Sequence, residues 1–221
     1  MSRTSGILCP VFSINGDYGI GQMGKHALQF IDWLAEGGFS HWQILPLNPV
    51  DFVKSPYASP SAFAGYFALI DPEQLVAWGL LLKSDLPLAE KEGNSRVNYQ
   101  KVEMNMEELL NKAFLQFFSR AGKEMLSEYG LFLSRNLHWL NDYALFMALK
   151  EKNKGQMWGL WPEESRNYRN LSKEIIEEQS EKSAYHKFVQ FLFFKQWMGI
   201  KKYAAKKGIR IIGDMPIYVS L

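Results

Sequence analysis

Two short apolar runs, GILCPVF and HWQILPL, stand on either side of a segment whose apolar residues Ala27, Phe30, Ile31 and Leu34 recur at helical spacing. Positions i, i+3, i+4 and i+7 mark one face of an amphipathic helix, and bounded apolar runs of this length mark buried strands. Gly37-Gly38 supply the helix stop, INGDYGIGQMG reads as the loop before the helix, and Pro46 interrupts the second strand. Strand, helix, strand with turn chemistry between them is a βαβ unit, and parallel strands need such a crossover. The chain is therefore expected to be an α/β protein built on a parallel sheet.

The middle of the chain has a different pattern. Residues 76–205 read as helical almost throughout, in MEELLNKAFLQFFSRA, LHWLNDYALFMALKEK and SAYHKFVQFLFFKQWMGIKKYAAKK, with GQMWGLWPEESRNYRN as a connection. A last strand, RIIGDMPIYV, is entered through Gly208, a candidate left-handed cap for the long helix before it. The expected organisation is two βα units and a loop over 1–75, a helical insertion over 76–205, and a third strand over 206–221. Three parallel strands fall short of a closed barrel, which takes eight. The sequence shows no internal repeat and no low-complexity tract.

Composition sets the outer bounds. At 221 residues with 47% hydrophobic side chains, the chain can bury a sizeable core as one large domain or two small ones. A net charge of +2 gives no electrostatic ground for a nucleic acid or an anionic membrane as partner. Cys9 is the single cysteine, so no intrachain disulfide can form and a reducing compartment is expected. The N-terminus lacks the apolar core of a signal peptide, and the most apolar window, Phe188–Met198, is broken by Gln190, Lys195 and Gln196. A cytoplasmic protein is the expectation.

Functional groups of parallel β/α folds gather at the C-terminal ends of strands. Asp214 follows Arg210-Ile211-Ile212-Gly213, with Pro216 fixing the backbone beyond it, so it is a candidate site residue; the alternative is a carboxylate capping a turn. The loop after the second strand, PLNPVDFVKSPYASPSAFAGYFALID, is too apolar for a solvated linker. Its Ser55-Pro56-Tyr57 offers a hydroxyl and an aromatic ring on a stiffened backbone, which suits a sugar, unless Tyr57 only plugs the end of the strands. Trp158 and Trp161 could form a stacking platform, whereas Trp139, Trp197 and Tyr143 fall among apolar helical positions and read as core. His26, His41, His138 and His186 show no metal-ligand spacing and read as structural or surface groups; Cys9 reads as a buried small hydrophobe. No phosphate-binding or dinucleotide motif is present, and no cofactor or metal is implied.

The segments RTSGILCPVFSINGDYGIG, WQILPLNP, SPYASPSAFAGY, DYALFMALKE, FLFFKQW and GIRIIGDMPIYVS, in this order, resemble the amylomaltases, the 4-alpha-glucanotransferases of the alpha-amylase superfamily. The resemblance implies a (β/α)8 barrel of which this chain is an N-terminal portion, with the helical stretch inserted before the third barrel strand. It implies transfer of 4-alpha-glucan segments between maltooligosaccharides or starch-type glucans, with retention. Retaining chemistry uses two carboxyl groups about 5–5.5 Å apart. The resemblance places those acids, and a third that stabilises the distorted sugar, beyond Leu221, so the chain alone is expected to be inactive and the missing C-terminal half is a candidate partner. It implies substrate-binding roles for Ser55, Tyr57 and Asp214. The family usually has Gly and then Asp or Asn before SPY, where this chain has Phe52-Val53-Lys54. Two rival readings stand beside it: a non-catalytic glucan-binding protein, and a small hydrolase that pairs Asp214 with Asp17 or Asp51.

Overall fold

The structure is a computed structural model and describes residues 3–50, 53–89 and 96–216. Its backbone divides into two compact units, one formed by residues up to Ala121 together with those from Leu192 onward, the other by Gly122–Phe191.

The first unit holds the sheet. Strands β1 (Gly6–Leu8), β2 (His41–Gln43) and β3 (Arg210–Ile212) pair in parallel in the order β1-β2-β3. Ile7, Trp42 and Ile211 are in register and share one face, because side chains alternate along a strand. Trp42 is fully buried there and donates its indole N–H to the Cys9 carbonyl at 2.7 Å.

The strands are shorter than their apolar runs. Beyond Leu8, Pro10 has no N–H to give a neighbouring strand, and Val11–Ser13 coil into a 3-10 turn. The expected GILCPVF strand is thus a three-residue strand and a turn. At the far end, Gly213 to Pro216 lie outside β3, and the remainder of the expected third strand lies outside the described residues.

Helix α1 (Lys25–Glu36) joins β1 to β2 and buries Ala27, Ile31 and Leu34, as its spacing predicts. Phe30 meets Trp42 edge-on with ring centroids 5.3 Å apart. The helix closes at Gly38, whose φ of 73° is open to glycine and strained for other residues. Helix α2 (Pro72–Ala77) starts at Asp71, whose Oδ1 accepts from the Glu73 N–H at 3.1 Å while Pro72 occupies the first turn. Helix α3 (Tyr99–Arg120) turns Val102, Met106, Leu109, Leu110, Ala113 and Phe117 inward.

In the second unit lie α4 (Lys123–Arg135), α5 (Leu137–Lys152), the short α6 (Glu163–Arg166) and α7 (Lys173–Glu178), and the start of α8 (Ser180–Lys206). Trp161 corrects an expectation. It is buried with Leu145 and Leu149, against Phe146, Leu171 and Ile175, and its indole N–H donates to the Gln156 carbonyl at 2.9 Å. Trp158 is half exposed, so the two tryptophans do not form a joint platform. Trp139 is core, as expected, while Trp197 and Tyr143 are half-buried.

From Leu192 on, α8 belongs to the first unit and gives it Phe193, Ile200 and Ala204. Phe193 packs so closely on Gly65 that a Cβ there would lie 2.1 Å from its ring. The helix ends at Gly208 with φ 76°, the left-handed cap the sequence predicts. Among the described residues, no helix is long and apolar enough to cross a membrane.

Candidate functional site

The loop after β2 is held by its own side chains. Asn48 donates to the carbonyls of Ser61 and Ala64 at 3.0 and 3.1 Å, and the Tyr66 N–H returns to the Leu47 carbonyl at 2.8 Å. The Ser59 hydroxyl donates to the Ser61 carbonyl, and Ser61 Oγ accepts from the N–H groups of Phe63 and Ala64. Short side-chain-to-backbone bonds of this kind fix a coil without strand or helix ladders. The loop is therefore a shaped platform.

On that platform Ser55 Oγ accepts from the Tyr57 N–H at 3.3 Å, and the Ser55 carbonyl accepts from the Ala58 N–H at 3.2 Å. This tight turn presents the Tyr57 ring outward, 40% exposed. The Tyr57 hydroxyl donates to Asp214 Oδ2 at 2.7 Å, although the two residues are 157 positions apart. Asp214 Oδ1 accepts from the Met215 N–H at 2.8 Å, which orients the exposed carboxylate just past β3. The hydrogen bond to Asp214 pushes the Tyr57 phenol above its ordinary value, since the carboxylate accepts from the neutral form. The structure thus brings two of the three sequence-predicted site residues into contact, with Ser55 shaping the turn that carries Tyr57.

Chemically, the pair offers an aromatic face and an anionic acceptor side by side. Each carboxylate oxygen has a further lone-pair position beyond the bond it already accepts, open to a hydroxyl donor. One sugar unit has C–H groups that suit a ring face and hydroxyls that suit an acceptor.

Glu103 of α3 lies behind this turn. Lys54 Nζ reaches both its carboxylate oxygens, at 2.6 and 2.7 Å, and the Tyr66 hydroxyl donates to Oε1 at 2.7 Å. Burial and that carboxylate raise the Tyr66 phenol strongly. Sequence reasoning missed Asn48, Tyr66 and Glu103. The Asn48-Pro49 pair is a turn signal that could have marked Asn48; for Glu103 no local signal exists, because it is one acid among several on a helix.

A second polar group surrounds a small pocket lined by Asp17, Tyr18, Lys25, His26, Asp71 and Glu73. Asp17 lies 2.7 Å from Lys25 Nζ and 3.2 Å from His26 Nε2. The Lys25 contact, reinforced by His26, holds its carboxyl below the usual range. Its two oxygens are thus committed to Lys25 and His26. Asp51, the other acid named for the hydrolase reading, lies outside the described residues. Tyr18 donates to Glu73 Oε1 at 2.6 Å, and Asp71 is raised by burial. Among the described residues, no group of three or more His, Cys, Asp or Glu side chains could hold a metal ion.

Comparison with known proteins identifies the family and the fold that this chain resembles. Residues 9–221 match the family model described as 4-alpha-glucanotransferase. The chain is 43% identical to a 4-alpha-glucanotransferase of Aquifex aeolicus, over 99% of this chain and 44% of that protein. It is 39% identical to one of Thermus thermophilus, over 100% of this chain and 43% of that protein. Amylomaltase from Streptococcus agalactiae, solved in complex with acarbose, superposes with a TM-score of 0.90 at 37% identity, covering 99% of this chain and 44% of that one. The chain therefore spans somewhat under half the length of these relatives.

Proposed function

The chain belongs to the 4-alpha-glucanotransferase family, and on that premise we propose that it serves the retaining transfer of α-1,4-glucan segments between maltooligosaccharides or starch-type glucans. In this reading its residues supply part of the substrate cradle. In such a reaction one carboxylate attacks the anomeric carbon while a carboxylic acid protonates the departing glycosidic oxygen. The same acid, now a base, then takes the proton of the acceptor hydroxyl that displaces the enzyme carboxylate, so one glycosidic bond replaces another. We assign neither role to Asp214. Its oxygens accept from the Tyr57 hydroxyl and the Met215 N–H, an arrangement that orients a substrate-binding carboxylate. The proposed nucleophile and acid/base lie beyond Leu221.

The observation that carries the reading is the Tyr57–Asp214 contact, since it joins the two elements on which the family resemblance places sugar-binding groups. The wider architecture we infer is a (β/α)8 barrel. In it, 1–75 would form the first two βα units, 76–205 the helical insertion and 206–221 the third strand. The parallel order β1-β2-β3 supports this by being the start such a barrel requires. The partners proposed are α-1,4-glucans and the residues that complete the barrel.

The test is direct. The full-length product of the gene, incubated with maltotriose, should yield glucose and a ladder of longer glucans on chromatography. The 221 residues alone should yield none, because removing one member of a catalytic set already costs several orders of magnitude. Glucan binding without products from the full-length protein would favour the non-catalytic reading; a ladder from the 221 residues alone would make Asp214 a primary catalyst.

A further inference from the structure

Lys54 has a backbone φ of 57°, in the left-handed region that favours glycine and asparagine. It stands directly before the Ser55-Pro56-Tyr57 turn, so this torsion sets the direction in which the turn leaves the loop. Nothing in the local sequence favours the conformation, and a backbone held in a sparsely populated region is fixed by its surroundings. The surroundings are explicit. The Lys54 ammonium bridges both oxygens of Glu103, and the partners are well shielded, with side-chain exposures of 30% and 21%. Tyr66, which closes the same loop by its bond to Leu47, donates its hydroxyl to the same carboxylate. One side chain on α3 thus grips the loop at two points, one on each side of Tyr57.

We propose that Glu103 is a positioning residue for glucan binding: by holding Lys54 and Tyr66 together, it maintains the strained turn that sets the Tyr57 hydroxyl on Asp214. The proposal rests on the reading of Tyr57 and Asp214 as substrate-binding groups. Glu103 acts through the loop, and its role separates into two parts. The grip on Lys54 needs charge, because a carboxylate bridged by an ammonium forms the stronger, charge-assisted bonds. The grip on Tyr66 needs only an acceptor. Glu103→Gln therefore weakens the first and keeps the second, and Lys54→Met removes the first while leaving the carboxylate in place.

The experiment uses the full-length gene product with 3-fluorotyrosine at position 57, so that the fluorine resonance reports the surroundings of that ring. Acarbose is the binding probe, followed by calorimetry. Glu103→Gln and Lys54→Met should each move the fluorine signal and weaken acarbose by roughly three- to tenfold, the net scale of one hydrogen bond felt through the loop. Combining them should be no worse than either alone, because both break the same Lys54–Glu103 contact. A fluorine signal unmoved by both single substitutions overturns the clamp, whatever acarbose does. Failure of the unsubstituted protein to bind acarbose sinks the glucan reading instead, and the fluorine signal then judges the clamp by itself.

Discussion

Gln196 on α8 and Asp71 at the head of α2 exchange two hydrogen bonds: Gln196 Oε1 accepts from the Asp71 N–H at 2.8 Å, and Gln196 Nε2 donates to the Asp71 carbonyl at 3.0 Å. A side-chain amide here takes the place that a neighbouring strand would fill, and both residues are buried. Gln196→Leu leaves a donor and an acceptor without partners, each costing about 1–3 kcal/mol. We expect it to lower stability by about 2 kcal/mol or more, read from urea denaturation. A change of less than about 0.5 kcal/mol, the scale of an ordinary surface substitution, would show that water replaces the amide.

Tyr57 separates the stacking contribution from the hydrogen-bonding one. Tyr57→Phe keeps the ring and loses the bond to Asp214, and the net worth of one ordinary hydrogen bond predicts roughly a fivefold loss in glucan affinity. Tyr57→Ala removes the ring as well and should cost turnover about tenfold or more. Because the side chain is exposed, neither should move the melting temperature appreciably. Unchanged maltotriose kinetics with a collapsed melt would mean that Tyr57 is a structural plug.

Periodicity made the helices readable. LHWLNDYALFMALKEK coincides with α5, and the stop at Gly208 is where the sequence places it. The strands were harder, because an apolar run does not reveal where a strand leaves its ladder; Pro10 decides this for β1, and the turn after it is a backbone event. Trp161 and Trp158 show the same limit for side chains. Two tryptophans in one short connection carry equal hydrophobic signal, and only packing against Leu145 and Leu149 makes one of them core.

The candidate site was legible residue by residue but not as a geometry. Strand-end position singled out Asp214, and residue chemistry singled out Tyr57; their contact spans 157 positions, so it could not be read from local pattern. Glu103 was out of reach for a further reason. Its meaning depends on the left-handed torsion at Lys54, a position whose residue type would have argued against that torsion.

Asp71 supplies a pH prediction. Burial raises its carboxyl above the ordinary 3.8, so in the window just above 3.8 the folded chain holds a proton that the unfolded chain has released. That contribution to stability is complete below 3.8 and is lost as pH rises through the raised value. Asp71→Asn keeps an acceptor for the Glu73 N–H and has nothing to titrate. Relative to the unsubstituted protein, its stability should therefore improve as pH rises from below 3.8 toward neutrality. Urea denaturation across that range checks it, and a difference between the two proteins that stays constant with pH would refute the assignment. Asp17→Asn should behave oppositely, because Lys25 holds the Asp17 carboxyl low and its stabilisation disappears as pH falls.

The last prediction concerns the sheet. Among the described residues β1 and β3 are its edge strands, and edge strands offer N–H and C=O groups to any chain that approaches. Leu8 and Ile212 both register with Gln43 and so share the face opposite Trp42. They are 55% and 44% exposed, and Met215 just beyond β3 is 73% exposed. Apolar side chains gathered beside open strand edges favour association with a second surface. We therefore expect the 221-residue chain, expressed by itself, to be self-associated or poorly soluble. Leu8→Lys with Ile212→Lys places charge on that face, a device by which natural sheets avoid edge-to-edge contact, and should increase the monomer fraction. Size-exclusion chromatography with light scattering reads both outcomes. A stable monomer with a sharp cooperative melt would mean that these residues cover their own sheet, and that the exposed face of Leu8 and Ile212 needs no partner.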